Sequence, residues 1–413
     1  MEYGLIGSPL RHSYSPEIHA VLGDYDYALR ELSPEELPLF LARRDFKAVN
    51  VTIPYKETVM AWLDELSPSA RAIGAVNTVV NRGGKLRGDN TDLPGMLALL
   101  ERLGVCDLSG KKVLILGTGG TSKTACAAAE TLHAGEIHRV SRSVRPDAVS
   151  YGEAMTRHRD AQLIINTTPV GMYPHGAESP LSLDGFEKLE AVADAVYNPL
   201  RTELVLSAQE RGIPSSGGLF MLAAQAVYAA GLFFDRPADS DLIDRAYRAV
   251  LRRKQNIVLI GMPSSGKTTV GRALAERLGL AFADTDEYIL REIGMPIRDY
   301  FARYGEKAFR DTESRVIREL SERTGTVIAT GGGAVLRQEN VRALKRNGRV
   351  VLLDRDPGTL CATEDRPLSF RREQLLTMYE ERYPRYQAAA DMTVDNNGDA
   401  DAAVNTICGE WMK

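Results

Sequence analysis

Cysteine is scarce in this chain and badly spaced for chemistry of its own. Only Cys106, Cys126, Cys361 and Cys408 occur in 413 residues, with no C-x-x-C pair or other metal spacing. Neither a metal cluster nor a disulfide framework is expected, and a reducing cytoplasm is the natural compartment. Long apolar runs are missing as well: no stretch approaches the roughly 18 residues of a membrane span, and the N-terminus reads as neither export signal nor anchor. Charge of one sign is missing too. The formal net charge is -4, spread without like-charge runs, which excludes the electropositive face of a nucleic-acid binder. There is no solenoid-period repeat and no low-complexity tract. All six histidines precede residue 176, leaving the C-terminal block with none.

What the chain does have is a hydrophobic content of 44%, ample for a core, in a length that calls for two or three domains. From residue 3 to about 92, β-rich runs (Tyr3 to Gly7, Tyr25 to Leu32, Ala48 to Ile53, Ala75 to Val80) alternate with helix-like segments, Pro34 to Arg43 and Pro54 to Leu66. A second α/β block opens at Lys111 with a strand, a glycine turn and the alanine-rich helix Thr121 to Leu132. Two amphipathic helices, Leu219 to Phe234 and Asp239 to Leu251, follow without a strand between them. Such helices often return to cap the first domain. Arg252 to Gln255 reads as a short charged join to a third block with renewed βα alternation.

Two glycine-rich loops of different type punctuate this plan. After Lys111 to Leu116 comes Gly117-Thr118-Gly119-Gly120-Thr121-Ser122, a strand and tight turn that fit a dinucleotide pyrophosphate at a helix N-terminus. At the end of the next strand, Val140 is followed by Ser141-Arg142-Ser143. An acidic residue there would accept from the ribose 2′-hydroxyl of NAD, whereas Arg142 favours the 2′-phosphate of NADP; read blandly, Arg142 is an ordinary surface charge. The second loop, Gly261-Met262-Pro263-Ser264-Ser265-Gly266-Lys267-Thr268, is a complete Walker A sequence after Ile257 to Ile260. Amides of Ser264 to Lys267 would cradle phosphates, Lys267 would reach the β and γ groups, and the Thr268 hydroxyl, beside Thr269, would ligate Mg²⁺.

Polar constellations also lie at the ends of the early strands: His12 to Pro16 with Ser13 and Ser15, Asn50 to Lys56, Ala75-Val76-Asn77-Thr78, and Gly88 to Asp92. Singly, each is a turn, a solvated lysine or, for Asp92, a helix N-cap. Together, and with Asn166-Thr167-Thr168-Pro169-Val170-Gly171-Met172, Asp194 to Pro199, and Gly218-Leu219-Phe220-Met221-Leu222 with Gln225, they resemble the shikimate dehydrogenase family over nearly all of residues 3 to 250. The resemblance implies a substrate-binding α/β domain, 1–93, completed by helices within 219–251, and a Rossmann-like NADP domain, 94–218. It implies that Lys56 and Asp92 are the catalytic pair at the ring ketone of 3-dehydroshikimate. Ser13 and Ser15 would bind the ring carboxylate, and Asn77, Asp92 and Gln225 the ring hydroxyls, with Thr52 and Tyr197 at the same rim. Cofactor contacts would come from Gly117, Gly119, Gly120, Thr121, Ser141, Arg142, Ser143, Thr167 and Gly218. Two departures stand out: Ser122 replaces the third glycine of G-x-G-x-x-G, and Ser141 stands where relatives often have asparagine.

The third block, 256–413, resembles shikimate kinase, a P-loop α/β/α domain. The resemblance rests on the Walker loop, Ala281 to Asp286, Gly305 to Glu313, Thr330-Gly331-Gly332-Gly333, Asp365-Arg366-Pro367-Leu368 and Arg382-Tyr383-Pro384-Arg385-Tyr386. It implies that Gly261, Ser264, Ser265, Gly266, Lys267, Thr268 and Thr269 hold ATP, and that Thr268 and Asp284 serve Mg²⁺. Asp286 would receive or orient the attacking hydroxyl, Arg310 and Arg382 would clamp the shikimate carboxylate, Gly331 to Gly333 would approach the ring, and Arg366 would close over the phosphates. Read blandly, Arg310 and Arg382 are helix-surface partners of Glu313 and Glu381. The lid, Pro357 to Asp365, is shorter than usual and lacks the arginine that commonly stacks on adenine.

The expectation is a bifunctional α/β enzyme acting on small molecules, with neither nucleic acid nor membrane as partner, as monomer or homodimer. It would reduce 3-dehydroshikimate with NADPH and phosphorylate the resulting shikimate with ATP and Mg²⁺. A dehydrogenase half acting on quinate or with NAD, and a non-catalytic shikimate sensor, are the alternatives.

Overall fold

Aliphatic runs too short for helices become strands buried on both faces, and the segments between them fold back as helices, so that three largely parallel sheets result. The computed structural model describes residues 1–10, 13–360 and 372–412. It divides into two units, Met1–Leu251 and Arg252–Lys413. Among the described residues no helix is long and apolar enough to cross a membrane.

The first unit opens with β1 (Tyr3–Gly7), α1 (Ser15–Leu22), β2 (Tyr27–Glu31), α2 (Glu36–Arg43), β3 (Ala48–Val51), β4 (Glu65–Leu66), α3 (Pro68–Ile73), β5 (Thr78–Arg82), β6 (Lys85–Asp89) and α4 (Asp92–Arg102). The sheet order is β2-β1-β3-β5-β6-β4. β1 pairs in parallel with β2 and β3, while β5 runs antiparallel to both β3 and β6. The β5–β6 turn is Gly83-Gly84 with φ of 57° and 85°, the left-handed pair that a two-residue hairpin demands. The segment Pro54 to Leu66, expected as a helix, forms only a 3₁₀ turn over Thr58–Trp62 and then β4. Asp64 and Ser67 donate backbone bonds to Leu86 and Gly88, so pairing with β6 captures residues whose apolar spacing alone suits a helix.

The second sheet follows with β7 (Lys112–Leu116), α5 (Gly120–Thr131), β8 (Glu136–Ser141), β9 (Val149–Ser150), α6 (Tyr151–Arg157), β10 (Leu163–Asn166), β11 (Ala191–Asp194), α7 (Glu203–Glu210), β12 (Ser215–Ser216), α8 (Leu219–Phe233) and α9 (Ser240–Lys254). Its order, β12-β11-β10-β7-β8-β9, is wholly parallel and reverses direction at β7 and β10. That reversal opens the crevice where such sheets bind ligands. α8 is apolar all round and packs on α1 and α4, laying Ala229 and Phe233 against Ala48 and Val80 of the first sheet. A Cβ on Gly95 of α4 would lie 3.0 Å from the Gln225 Cβ, so glycine lets α8 bring Gln225 close to the start of α4. α9 continues through Lys254, so Arg252 to Lys254 of the short charged join are helical.

The second unit contains β13 (Asn256–Ile260), α10 (Lys267–Leu278), β14 (Ala281–Asp284), α11 (Thr285–Ile293), α12 (Ile297–Ser321), β15 (Thr326–Ala329), α13 (Gln338–Asn347), β16 (Gly348–Asp354), α14 (Arg372–Ala389), β17 (Met392–Asp395) and α15 (Ala400–Met412). Strand order is β14-β15-β13-β16-β17, all parallel. β13, which precedes the Walker loop, lies between β15 and β16.

Asp194, at the end of β11, is wholly buried and accepts bonds from Asn166 Nδ2 (2.9 Å), Val196 N (2.9 Å) and Thr202 Oγ1 (2.6 Å). Burial pushes its carboxyl up to about 6, against the pull of those three donors. A carboxyl raised in the native state binds its proton more tightly there than when unfolded. Its contribution is therefore fully present below about pH 4 and lost as pH rises through about 6. Asp194→Asn should lack this contribution. Urea unfolding should show the variant gaining about 2–3 kcal/mol on the wild type between pH 4 and pH 7.

Candidate active sites

Lys56, Asn77 and Asp92 follow β3, precede β5 and open α4, which places all three at one edge of the first sheet. Lys56 Nζ donates to Asp92 Oδ2 at 2.6 Å, with the side chains only 16% and 8% exposed. Asn77 Nδ2 donates to Asp92 Oδ1 (2.9 Å), Thr91 Oγ1 (3.0 Å) and Gln225 Oε1 (3.3 Å). Behind it, Asn50 Nδ2 bonds Thr78 Oγ1 at 3.1 Å, and Tyr27 Oη donates to Asn50 Oδ1 at 2.8 Å. The aspartate's two oxygens are thus aimed by separate donors, one charged and one neutral. Asp92 is not the N-cap of α4; Thr91 holds that position and Asp92 is the first helical residue. Ser13 and Ser15 lead into α1, with Ser15 N donating to Ser13 Oγ at 3.3 Å, and Thr52 follows β3. Tyr197 stacks obliquely on Tyr14, ring centres 5.2 Å apart, and burial raises both phenols.

The dinucleotide-type loop lies beside this network. Lys56, Gly117, Gly119 to Thr121, Ser141 to Ser143 and Thr167 line one cavity of about 590 Å³. Gly117 has φ of 111° and a Cβ there would stand 2.7 Å from Thr167 Oγ1, so the turn needs glycine. Ser122 is buried and donates to the Gly117 carbonyl at 2.7 Å, which closes the turn from inside and accounts for a serine where a third glycine is usual. Ser141 Oγ accepts from Ser143 N at 3.1 Å, leaving Arg142 exposed at the cavity wall. Tyr151, at the start of α6, lines the same wall. Gly218 instead caps α8, and a side chain there would strike the Ala195 backbone.

In the second unit the Walker loop runs through left-handed backbone at Ser264 (φ 65°) and Gly266 (φ 90°). Lys267 Nζ is held by the carbonyls of Gly261 (2.9 Å) and Met262 (2.7 Å). Thr268, next to Thr269 in the first turn of α10, donates to Asp284 Oδ2 at 2.7 Å. The other Asp284 oxygen accepts from Asp286 N at 3.0 Å and so caps α11. A hydroxyl and a carboxylate so joined form a hard oxygen pair suited to Mg²⁺.

The opposite wall is built around the glycines after β15. Gly331 N donates to Thr285 Oγ1 at 2.8 Å. A Cβ on Gly331 would sit 2.7 Å from Asp286 Oδ1, one on Gly332 would press on Pro263, and one on Gly333 would overlap the Arg310 guanidinium. Arg310 donates to Glu313 Oε2 at 2.7 Å with the pair 9% and 1% exposed. The bland reading of a surface pair fails here, because both groups are buried. Burial raises the Glu313 carboxyl, while Arg310, Arg382 and Arg337 oppose the rise. Arg382 donates to the Gly332 carbonyl at 3.1 Å, and Tyr386 Oη donates to the same oxygen. Asp286, Arg310, Arg382 and the three glycines therefore converge. Arg366 and most of the lid, with His12, lie outside the described residues.

These arrangements define a two-site α/β enzyme, a dinucleotide-crevice unit followed by a P-loop unit. A shikimate dehydrogenase substrate-binding domain family matches residues 5–79, and the shikimate kinase family matches residues 263–412. The NADP(+) shikimate dehydrogenase of Caldanaerobacter subterraneus subsp. tengcongensis is 37% identical over 57% of this chain and 93% of its own length. Shikimate dehydrogenase 1 of Peptoclostridium difficile is 34% identical over 60% of this chain and 97% of its own, with a TM-score of 0.55. The Thermus thermophilus enzyme, solved in complex with NADP(H) and shikimate, is 34% identical over 60% and 98%, with a TM-score of 0.54. The chain belongs to the shikimate dehydrogenase family and carries a shikimate kinase domain, which makes it a bifunctional enzyme.

Because the Arg310 guanidinium occupies the space beside Gly333, Gly333→Ala should expel it from Glu313 and destabilise the second unit by about 2–4 kcal/mol. Gly409→Ala, in α15 with open space around it, should be neutral or slightly stabilising. Denaturant unfolding of the two variants checks the contrast.

Proposed function

We propose that this chain performs two consecutive steps on one carbocyclic acid: NADPH-dependent reduction of 3-dehydroshikimate to shikimate, then transfer of the ATP γ-phosphoryl group to the new hydroxyl, giving shikimate 3-phosphate. The observation that carries the reading is the Lys56 ammonium, bonded to Asp92 at 2.6 Å and lining the same cavity as the Gly117 to Thr121 loop. A hydrogen-bonding cation beside a dinucleotide crevice suits reduction of a ketone, because negative charge grows on the carbonyl oxygen as it is reduced. The cytoplasm is the compartment in this reading.

In the first site NADPH would supply the hydride. Lys56 would donate to the carbonyl oxygen and deliver its proton, with Asp92 holding the ammonium in place. Asn77, Asp92 and Gln225 would bind ring hydroxyls, and Ser13 and Ser15 the carboxylate, with Thr52 and Tyr197 beside them. Arg142 fits a 2′-phosphate. It is exposed on the cavity wall after β8, between Ser141 and Ser143, at the position where an acidic residue would instead accept from a 2′-hydroxyl.

In the second site ATP would supply the phosphoryl group, with Mg²⁺ offsetting its negative charge. Amides of the Walker loop and Lys267 would hold the phosphates, and Thr268 and Asp284 the metal. Asp286 would orient the acceptor hydroxyl, while Arg310 and Arg382 would clamp the ring carboxylate. Gly331 to Gly333 would let the ring approach the backbone.

Incubated with 3-dehydroshikimate, NADPH, ATP and Mg²⁺, the protein should yield shikimate 3-phosphate, identified by mass spectrometry, only when both nucleotides are present. Lys56→Ala should lower NADPH oxidation by about 10²–10⁴-fold and spare phosphorylation of supplied shikimate, with Lys267→Ala doing the reverse. Loss of both activities from either change, with folding intact, would overturn the assignment of separable sites.

A separate kinetic test concerns cofactor choice. Arg142→Ala should raise the KM for NADPH about 10–100-fold, the worth of one charge-assisted bond, and leave the rate with NADH unchanged.

A further inference from the structure

The Walker loop is gripped from outside by a residue far along the chain. Asn396 is the first residue beyond β17, is 3% exposed, and donates its side-chain amide to the Ser265 carbonyl at 2.6 Å. Its own backbone N–H donates to the Asp354 carbonyl at 2.8 Å, at the end of the neighbouring strand β16. The amide therefore stands on the rigid edge of the sheet rather than on a free loop. A Cβ at Gly266 would lie 2.8 Å from Asn396 Nδ2, so the approach depends on glycine at that loop position.

The geometry has a direct consequence for the Ser265–Gly266 peptide, which is trans. In a trans peptide the C=O and the N–H point in opposite directions. A donor that fixes the Ser265 carbonyl toward Asn396 therefore turns the Gly266 N–H the other way. Gly266 has φ of 90° and no side chain, so no Cβ hinders rotation of this peptide plane. Without a partner on its carbonyl, the N–H would be presented to a phosphate in only a fraction of the molecules.

We propose that Asn396 is a positioning residue for the nucleotide: it locks the Ser265–Gly266 peptide so that the Gly266 N–H is permanently offered to the phosphates. The proposal rests on the nucleotide-binding reading of the Walker loop given above, and in it Asn396 acts through the Ser265–Gly266 peptide.

Asn396→Asp keeps the side-chain volume but sets a carboxylate against a carbonyl, and Asn396→Leu removes the donor altogether. In the full-length protein, with saturating NADP⁺ to occupy the dinucleotide crevice, both changes should weaken MgADP binding at least 10-fold by calorimetry. The KM for ATP should rise by a similar factor, while the KM for shikimate stays within 2-fold. A merely structural role would instead lower kcat through loss of active molecules and leave the KM for ATP where it was. Should Asn396→Leu fail to fold, the isosteric Asn396→Asp decides. MgADP affinity within 2-fold of wild type in a folded variant overturns the proposal and leaves the kinase reading standing. Wild-type protein that binds MgADP tightly but does not phosphorylate shikimate overturns the acceptor assignment and leaves the role of Asn396 standing.

Discussion

A parallel strand has to be left at its carboxyl end by a turn that crosses over the sheet, and both units of this chain place their candidate site residues at such ends. In the first unit β3 leads to Thr52 and Lys56, β6 to Asp92, β7 to the Gly117 loop and β8 to Arg142. In the second, β13 leads to the Walker loop, β14 to Asp284 and Asp286, β15 to Gly331 to Gly333 and β17 to Asn396. The central strands are held in register by ladders buried on both faces, so the turns they feed are fixed relative to one another. Helices starting in those turns add N-terminal amides to the same edge. The choice of parallel strands, set by buried aliphatic runs, therefore determines where every later interaction can occur.

Lys56 with Asp92, and Arg310 with Glu313, are largely desolvated and are paired before any ligand arrives. The Lys56 and Asp92 side chains share a bond while Asn77 satisfies the second carboxylate oxygen. Arg310 and Glu313 make the corresponding pair in the second unit. Such pairs stabilise a fold weakly, since the loss of hydration offsets most of the Coulombic gain. Their effect lies in geometry: a paired group has one orientation. Where the backbone itself must come close, glycine replaces the side chain, at Gly117 against Thr167 and at Gly333 against Arg310. Pairing and close approach together leave each site few alternative arrangements.

Much of this was legible in the sequence because it is local. The strand, glycine turn and helix from Lys111 to Leu132 appear where their pattern puts them, and so does the Walker loop after Ile260. The family resemblance on both halves is also supported by the matches at residues 5–79 and 263–412. What was misread, left open or missed depends on partners far along the chain. Pro54 to Leu66 has a helix-like apolar spacing, yet its backbone pairs with β6, whose sequence lies some twenty residues on. Arg310 and Glu313 have the spacing of a surface ion pair, and only the packing of α12 against the glycine loop makes them buried. Tyr151 at the cavity wall and Asn396 beneath the Walker loop carried no sequence signal, because a single tyrosine or asparagine is meaningful only once tertiary structure supplies its neighbour. The buried Ser122 is intermediate: its position in the loop was noted, but its role in closing the turn needed the bond to Gly117.

The same long-range bonds bear on why two enzymes can share one chain in this arrangement. In the first unit Asn77 reaches Gln225, 148 positions away, so the site draws on both the opening strands and the closing helix. In the second, Ser265 is held by Asn396, 131 positions away. Each site is thus tied to the early and the late parts of its own unit. A large insertion between those parts would have to leave strand order and helix docking undisturbed, and a split there would remove Gln225 from Asn77 and Asn396 from the Ser265 carbonyl, each bond worth about 0.5–1.5 kcal/mol. Joining end to end requires neither. The division at Leu251 and Arg252 falls after the last residues that the first network uses and before the first that the second uses. The physical constraint that completes each site therefore also selects the place where a second site can be added.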